Sequence, residues 1–324
     1  MNIAIIGSGV FGIANAISLS HNKNNNIIMW TESEESLQRL ESTRDNFELL
    51  GGIKIPTSIK FTTSYEEALK DADIVMIMTS AKFIDSVTKA MKPYINKKMT
   101  FIIGSKGIEQ NTCRFLHEVF RDNIRTKRLG VMSGPSFAID IANLEPTALA
   151  LATKHKFVFN KLKQAYKGTN IKLRHSKDLI GTELAGSIKN VVAIASGMLE
   201  GLGYTESTRA FLITESLHDI KELTYGLGGN KKSILSYAGV GDLLLTATST
   251  KSRNYSYGIL LATDKNKANK YLEETTVEGY YTLKSIYSLI KKRKVKMPLI
   301  DLIYKIVMND DDPRKLIDFL MNKD

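Results

Sequence analysis

The chain begins MNIAIIGSGVFG, a short apolar segment running straight into Gly7-Ser8-Gly9-Val10-Phe11-Gly12. Ile3, Ala4, Ile5 and Ile6 precede the glycines, and Ile13, Ala14, Ala16, Ile17 and Leu19 continue beyond them in a helical pattern. A strand, a G-x-G-x-x-G turn and a helix in this order form a cradle for a dinucleotide pyrophosphate. Gly7 permits the tight turn, Gly9 lets backbone approach the phosphates, and Gly12 lets the helix pack close to the strand. The helix N-terminus adds unpaired N–H groups and partial positive charge. An ordinary glycine-rich turn is the competing reading, and the flanking pattern argues against it. All six residues of the turn are candidate cofactor contacts.

At 324 residues the chain is long enough for two domains. Its first half alternates short apolar runs with amphipathic stretches. Strands are expected at Ile27–Trp30, Asp73–Met78, Thr100–Ile103, Leu129–Met132 and Thr147–Ala152, and helices near 33–44, 81–91, 112–121 and 155–167. Such alternation implies βαβ units and a doubly wound, Rossmann-type α/β sheet. From about Asp178 the texture turns helical, with segments at 183–199, 209–223, 257–261, 282–291 and 299–308. The expectation is a dinucleotide-binding domain over residues 1–177 and an all-α substrate domain over 178–324, with a site between them.

Lys and Arg number 45 against 34 Asp and Glu, a formal net charge of +11. Such an excess suits nucleic acid, a membrane surface or small anions. No nucleic-acid module accompanies the charge. Runs such as Lys291-Lys292-Arg293-Lys294 end an expected helix, where positive charge suits the dipole. A solvated lysine-rich surface is the better reading, with no nucleic-acid partner. No apolar run is long enough to span a bilayer, and the chain enters its first strand without a charged leader. Cys113 is the only cysteine, so no intrachain disulfide forms and a reducing cytoplasm fits. Cys113 itself reads as a helix-packing residue. His21, His117, His155, His175 and His218 are scattered without ligand spacing, so no metal is expected.

In dinucleotide folds an acidic side chain after the second strand accepts hydrogen bonds from the adenosine ribose. Glu32 lies 25 residues after Gly7, near the usual offset of about 20. A carboxylate there would repel a 2′-phosphate, which favours NAD and leaves NADP as the alternative. The competing role is local, with Thr31 and Glu34 forming a capping box.

Four further segments gather polar side chains among glycines and small residues. They are Gly104-Ser-Lys106-Gly-Ile-Glu109, Ser133-Gly134-Pro-Ser136-Phe-Ala138, Glu183-Leu-Ala-Gly-Ser-Ile-Lys189-Asn190, and Gly239-Val-Gly-Asp242 with Ser252-Arg253-Asn254 downstream. On a helix, Thr182, Ala185, Gly186, Lys189, Ala193 and Ser196 share one face, so Lys189 is flanked by small residues with room for a ligand. Leu184, Ile188, Val191, Val192 and Ala195 form the opposing apolar stripe. Taken alone, Lys189 reads as a surface lysine, and Arg253 with Asn254 as a helix-capping pair. Partial burial would lower the Lys189 pKa and help it exchange a proton near neutral pH; a nearby Asp242 would counteract this.

The order and wording of GSGVFG, SKGIE, SGPSFA, GTELAGSIKNVVAIASG, LITESL, AGVGDLLLTATS, SRN and VEG are specific to one family. Over Gly7–Gly279 the chain resembles the NAD(P)-dependent glycerol-3-phosphate dehydrogenases of the bacterial type. The resemblance implies interconversion of sn-glycerol 3-phosphate and dihydroxyacetone phosphate by hydride transfer to or from nicotinamide, feeding phospholipid synthesis. It implies that Lys189 is the catalytic lysine, with Lys106, Asn190 and Asp242 around it orienting substrate oxygens. Arg253 and Asn254 would bind the substrate phosphate, with Ser252 and Thr246 close by, and Gly134 and Ser136 would line the substrate pocket. Ala138, Glu278, Lys106 and Arg253 would touch the cofactor. General chemistry agrees: guanidinium binds phosphate bidentately, and a fixed cation beside the reacting oxygen stabilises a developing alkoxide.

Several positions depart from the family pattern. Phe11 stands where tryptophan is frequent, Glu32 where arginine is common, and Ala247 where cysteine is frequent. Ser207 and Glu215 replace asparagine and arginine, and Glu215 inverts a charge. Two rivals remain: a related two-domain dehydrogenase acting on a hydroxy acid or imine, and a non-catalytic NAD sensor. The first would need a carboxylate or amine pocket in place of Arg253 and Asn254; the second would lack a proton donor. The sequence gives no oligomeric state, and a homodimer is the working expectation.

Overall fold

The structure, a computed structural model, describes residues 1–45 and 50–323. By packing, the chain divides into two compact units. Met1–Ser105 with Leu116–Leu179 form the first, and Lys106–Phe115 with the residues from Ile180 onward form the second. One cut near residue 178 does not describe this division. Ile108 and Phe115 are buried among Leu184, Ile188, Val191 and Leu283, so the segment carrying them folds with the helical unit.

The first unit is built on an eight-stranded sheet. In chain order its strands are β1 Asn2–Ile6, β2 Asn26–Trp30, β3 Ile59–Thr62, β4 Ile74–Ile77, β5 Thr100–Ile103, β6 Leu129–Ser133, β7 Thr147–Ala152 and β8 Ile171–Ser176. Their spatial order is β3-β2-β1-β4-β5-β6-β7-β8. β1 explains why the strands read as unbroken apolar runs. Ile3 and Ile5 pack with Ile13, Ile17 and Met76 on one face, while Ala4 and Ile6 pack with Val75, Ile77 and Phe101 on the other. Both faces of the sheet are covered, as in doubly wound folds.

Two strands lie outside the sequence expectation, and both are edges. β3 is four residues long, and β8 alternates Ile171 and Leu173 with exposed Lys172 and Arg174. Edge strands carry charge and lose the continuous apolar signal. β6 and β7 pair antiparallel, a departure from the βαβ pattern expected throughout. The link between them carries only the five-residue helix Ala138–Ala142, too short for the usual helical crossover.

The helix expected near 112–121 begins only at Leu116. The buried carboxylate of Glu109 accepts from the Asn111 and Thr112 N–H groups and from the Thr112 hydroxyl, which holds these residues in a turn. Cys113 sits in that turn at φ 54°, so it is not itself helical, but its half-buried side chain packs against the core of the helical unit.

The second unit is helical. Its central helix, Leu179–Gly201, buries Ile188, Val191, Val192 and Ala195. The helix Arg253–Thr263 packs against it at backbone distance. A Cβ at Gly197 would strike the Tyr255 carbonyl oxygen, and one at Gly258 would strike that of Ile194. Three helices lie beyond the segments expected from sequence: Asp242–Ala247, Lys265–Glu274 and Lys315–Met321. Two of these have fewer than eight residues, and the third is mostly polar, so none shows a broad apolar stripe. No helix among the described residues is long and apolar enough to cross a membrane.

Gly258→Ala should push the two helices apart and cost about 1–3 kcal/mol, the usual range for overpacking. Denaturant or thermal unfolding measures it, and an unchanged midpoint would show that the crossing tolerates a methyl group.

Candidate active site

The glycine turn of the first unit has the geometry its spacing implies. Gly7 has φ 115°, a conformation that side chains resist, and its N–H donates to the Trp30 carbonyl at 3.1 Å. A Cβ at Gly12 would strike the Gly7 carbonyl oxygen, so glycine is needed there for packing. Gly9 differs from both. Its φ of −68° is ordinary and a Cβ would meet nothing within 4 Å. The protein's own packing therefore leaves the space above Gly9 open, as an approaching pyrophosphate requires. The helix Val10–Ser20 that follows has no side-chain cap and no acidic residue in its first turn, so its N–H groups remain available to an anion. These residues fit a dinucleotide. Phe11 is partly buried against the same core, near Gly104.

Glu32 is exposed just past the C-terminal end of β2, the side on which such folds bind ligands. The capping box of the competing reading does not form. The helix Glu34–Thr43 is capped by Ser33, whose hydroxyl accepts from the Ser36 N–H at 3.2 Å. Glu34 instead hydrogen-bonds the Thr63 hydroxyl.

Also in the first unit, Gly134 follows β6 with its Cα against β7, where a Cβ would lie 2.9 Å from the Ala148 carbonyl oxygen. The Ser136 hydroxyl turns back to donate to the Gly134 carbonyl at 3.3 Å. Ala138 opens the short helix after it.

The second unit brings Lys106, Lys189, Asp242 and Thr246 together. Asp242 is fully buried at the start of the helix Asp242–Ala247. A wide turn over Tyr237–Gly241 delivers it there, and at Gly239 a Cβ would strike the Ile234 carbonyl oxygen. One Asp242 oxygen, Oδ2, accepts from Lys106 Nζ at 2.9 Å, and the other, Oδ1, accepts from Lys189 Nζ. Lys189 Nζ also donates to the Thr246 hydroxyl at 3.0 Å, and that hydroxyl donates to the Asp242 carbonyl at 2.7 Å. Lys189, only 6% exposed, is not the surface lysine its isolated sequence reading gives.

Burial pushes the Lys189 ammonium down to about 8, the Lys106 charge adds to this, and Asp242 only partly offsets it. At Lys106, burial is the largest influence and acts downward, but the charge and hydrogen bond of Asp242, the contact with Lys189 and the Glu278 charge together outweigh it, so its pKa is raised. Two ammonium groups on one carboxylate leave net positive charge for a substrate oxygen.

A second array lies on the same central helix. Asn190 Nδ2 donates to Glu278 Oε2 at 3.2 Å, and Asn190 Oδ1 accepts from Asn254 Nδ2 at 3.1 Å. Asn254 Oδ1 accepts from the Gly279 N–H at 2.7 Å. Gly279 must be glycine, because a Cβ would lie 2.6 Å from the Asn190 carbonyl oxygen. Arg253 is exposed at the first position of the helix Arg253–Thr263, and Ser252 caps that helix by accepting from the Tyr255 N–H at 3.3 Å. The capping role read for Arg253 and Asn254 thus belongs to Ser252.

The sequence reading gave no role to Glu109 or Gly279. Glu109 holds the turn that follows Lys106; its signal was a carboxylate close before Asn111 and Thr112. Among the departures, Glu215 pairs with Lys323 at 3.0 Å, and Asp219 holds the same lysine at 2.7 Å. The inverted charge is therefore matched by the C-terminal segment. Ser207 is exposed, and the buried Ala247 offers its carbonyl to the Ser196 hydroxyl at 2.7 Å. No group of His, Cys, Asp and Glu able to hold a metal occurs among the described residues.

A dinucleotide cradle on a mostly parallel sheet and a buried lysine–carboxylate centre on a helical unit define the class: a nicotinamide-dependent oxidoreductase. The sequence profile described as NAD-dependent glycerol-3-phosphate dehydrogenase N-terminus matches residues 2–158, and the one described as its C-terminus matches residues 178–318. The glycerol-3-phosphate dehydrogenase [NAD(P)+] of Staphylococcus epidermidis is 34% identical over 99% of this chain and 98% of its own. That of Bacillus subtilis is 33% identical over 98% and 93%. The crystal structure of glycerol-3-phosphate dehydrogenase from Coxiella burnetii superposes with a TM-score of 0.91 at 29% identity, covering 99% of both chains. The chain belongs to the NAD-dependent glycerol-3-phosphate dehydrogenase family.

Asp242→Asn should leave two buried ammonium groups without their counter-charge, at a cost of about 3–5 kcal/mol unless one sheds its proton. Denaturant unfolding at pH 7 and pH 9.5 tests this, with the loss expected to shrink at the higher pH. Equal losses at both would show that the carboxylate is not balancing the lysines.

Proposed function

We propose that the chain interconverts sn-glycerol 3-phosphate and dihydroxyacetone phosphate, with Lys189 moving the proton. The observation that carries this reading is the buried set Lys106–Asp242–Lys189–Thr246. Bound NAD(H) supplies or accepts the hydride. In reduction Lys189 Nζ gives a proton to the carbonyl oxygen at C2, and in oxidation it takes the hydroxyl proton back. Lys106 keeps its charge and stabilises the oxygen while negative charge develops on it. Asp242 holds both amines in place, and Thr246 fixes the direction of the Lys189 N–H bonds.

Arg253 and Asn254 bind the substrate phosphate, with Ser252 and Thr246 beside them and Gly134 and Ser136 lining the pocket. A guanidinium at a helix N-terminus suits a phosphate dianion. Anchoring the phosphate converts binding energy into alignment of C2. Gly7, Ser8, Gly9, Val10, Phe11, Gly12, Ala138 and Glu278 contact the cofactor, with Lys106 and Arg253 near its nicotinamide end. Glu32 selects NAD over NADP by accepting from the ribose hydroxyls. The product supplies phospholipid synthesis in the cytoplasm, in keeping with a single cysteine, and the working assembly is a homodimer. A non-catalytic sensor would have no use for two lysines kept from water on one carboxylate.

Lys189→Ala should lose most turnover while still binding dinucleotide, and a variant with near-full activity would end the proton-transfer role. In the wild type the reduction needs Lys189 protonated, so its rate should fall as pH rises through about 8. The oxidation needs it neutral and should rise over the same interval. Opposed inflections in kcat/KM measured in the two directions check the sign.

Arg253→Ala should raise KM for dihydroxyacetone phosphate at least about tenfold, the scale of a lost charge-assisted bidentate contact. Unchanged kinetics would remove Arg253 from the phosphate site, and better turnover of a 2-oxo acid would favour the hydroxy-acid rival.

A further inference from the structure

Between the glycine turn and Glu32 lies Thr31, left without a role once the capping box with Glu34 is seen not to form. It is fully buried, and its backbone N–H donates to the Thr62 carbonyl at 2.9 Å, which ties it to the end of β3. Its hydroxyl lies 2.8 Å from the Ser8 hydroxyl and 3.2 Å from Glu32 Oε2. A carboxylate can only accept, and a hydroxyl has one proton to give. Thr31 gives its proton to Glu32, so Ser8 must donate to Thr31. The chain of bonds therefore runs one way, from Ser8 through Thr31 to Glu32.

This polarity has two consequences. Glu32 Oε2 is engaged, while Oε1 has only a marginal contact at 3.5 Å with the Ser36 hydroxyl and is left to accept from a ligand. The Ser8 proton is directed toward Thr31, so in this arrangement the turn presents its backbone N–H groups and not the Ser8 hydroxyl proton to an anion. Both consequences depend on a hydroxyl at position 31.

We infer that Thr31 is a positioning residue for dinucleotide choice, orienting the Glu32 carboxylate toward a ribose diol and fixing the direction of the Ser8 hydroxyl. The inference rests on the reading of Glu32 as the NAD-selecting group. Thr31 touches no ligand itself; its action passes through Glu32.

The test is isothermal titration of NADH and NADPH into Thr31→Val, Thr31→Ser, Glu32→Gln and the Thr31→Val/Glu32→Gln double variant, with thermal midpoints recorded for each. Valine keeps the buried volume and removes the hydroxyl; serine keeps the hydroxyl. Thr31→Val should weaken NADH binding about fivefold, the scale of one net hydrogen bond, with NADPH affinity held within about twofold. Thr31→Ser should restore NADH affinity, and the double variant should bind NADH no more weakly than Glu32→Gln alone. Equal weakening of both dinucleotides by Thr31→Val, no weakening of NADH, failure of serine to restore, or additive losses in the double variant would each overturn the inference. If Glu32→Gln itself leaves NADH affinity unchanged, the NAD-selective reading falls and takes this inference with it. If Glu32→Gln weakens NADH but Thr31→Val does not, only the role of Thr31 falls.

Discussion

One buried carboxylate organises the chemistry of the helical unit. Asp242 is removed from water, and an unpaired charge in that position would be strongly destabilising. Its two oxygens are instead divided between two lysines from distant parts of the chain, Lys106 and Lys189. Lys106 reaches it from the segment that follows Ser105 and folds with the helical unit, and the Glu109 turn fixes that segment. The local fold of residues 106–115 is thus tied to the charge balance at Asp242.

Close backbone approach is the second condition. Lys189 and Asn190 sit on a helix that the 253–263 helix can approach only because Gly197 and Gly258 lack side chains. Gly279 does the same where the 278–293 helix begins, close enough for its N–H to reach the Asn254 amide. Asn254 then has both ends of its amide assigned, oxygen to Gly279 and nitrogen to Asn190, and Asn190 is fixed in turn by Glu278. An amide held at both ends does not flip. Arg253, its neighbour, begins the same helix under the Ser252 cap.

Much of this was legible in the sequence because the signals were periodic or local. β1 and β4–β7 are runs buried on nearly every residue, β2 is an apolar run with alternate residues buried, and the turn Gly7–Gly12 has a fixed spacing. The edge strands β3 and β8 were not legible, since one is only four residues long and the other breaks its apolar run with exposed Lys172 and Arg174. The antiparallel turn of β7 against β6 escaped because strand direction is set by the connection and not by the strand's own residues. The start of the 112–121 helix was misplaced for a similar reason: a carboxylate at Glu109 overrode the helical pattern of Thr112 and its neighbours. At the site, residue types and wording pointed to Lys106, Lys189 and Asp242, but nothing in one dimension reveals that they share a single carboxylate.

That sharing separates the two lysines chemically. Both are screened from solvent, and burial alone would depress both. Lys106 is nonetheless raised, because the charge and hydrogen bond of Asp242, helped by Lys189 and Glu278, together exceed the effect of burial there, while Lys189 bears the added repulsion of Lys106 and falls to about 8. One amine is thereby kept as a permanent cation and the other is brought to where it can gain or lose a proton near neutrality. Pairs of like groups driven to different proton affinities are a general route to acid–base chemistry in a fixed site. Here the device needs one carboxylate, two lysines and a threonine hydroxyl, and it requires Asp242 to lie between the amines. With Asp242 bound to only one of them, the other would lose its carboxylate partner and hold its proton less firmly, and the division of roles between Lys106 and Lys189 would be lost.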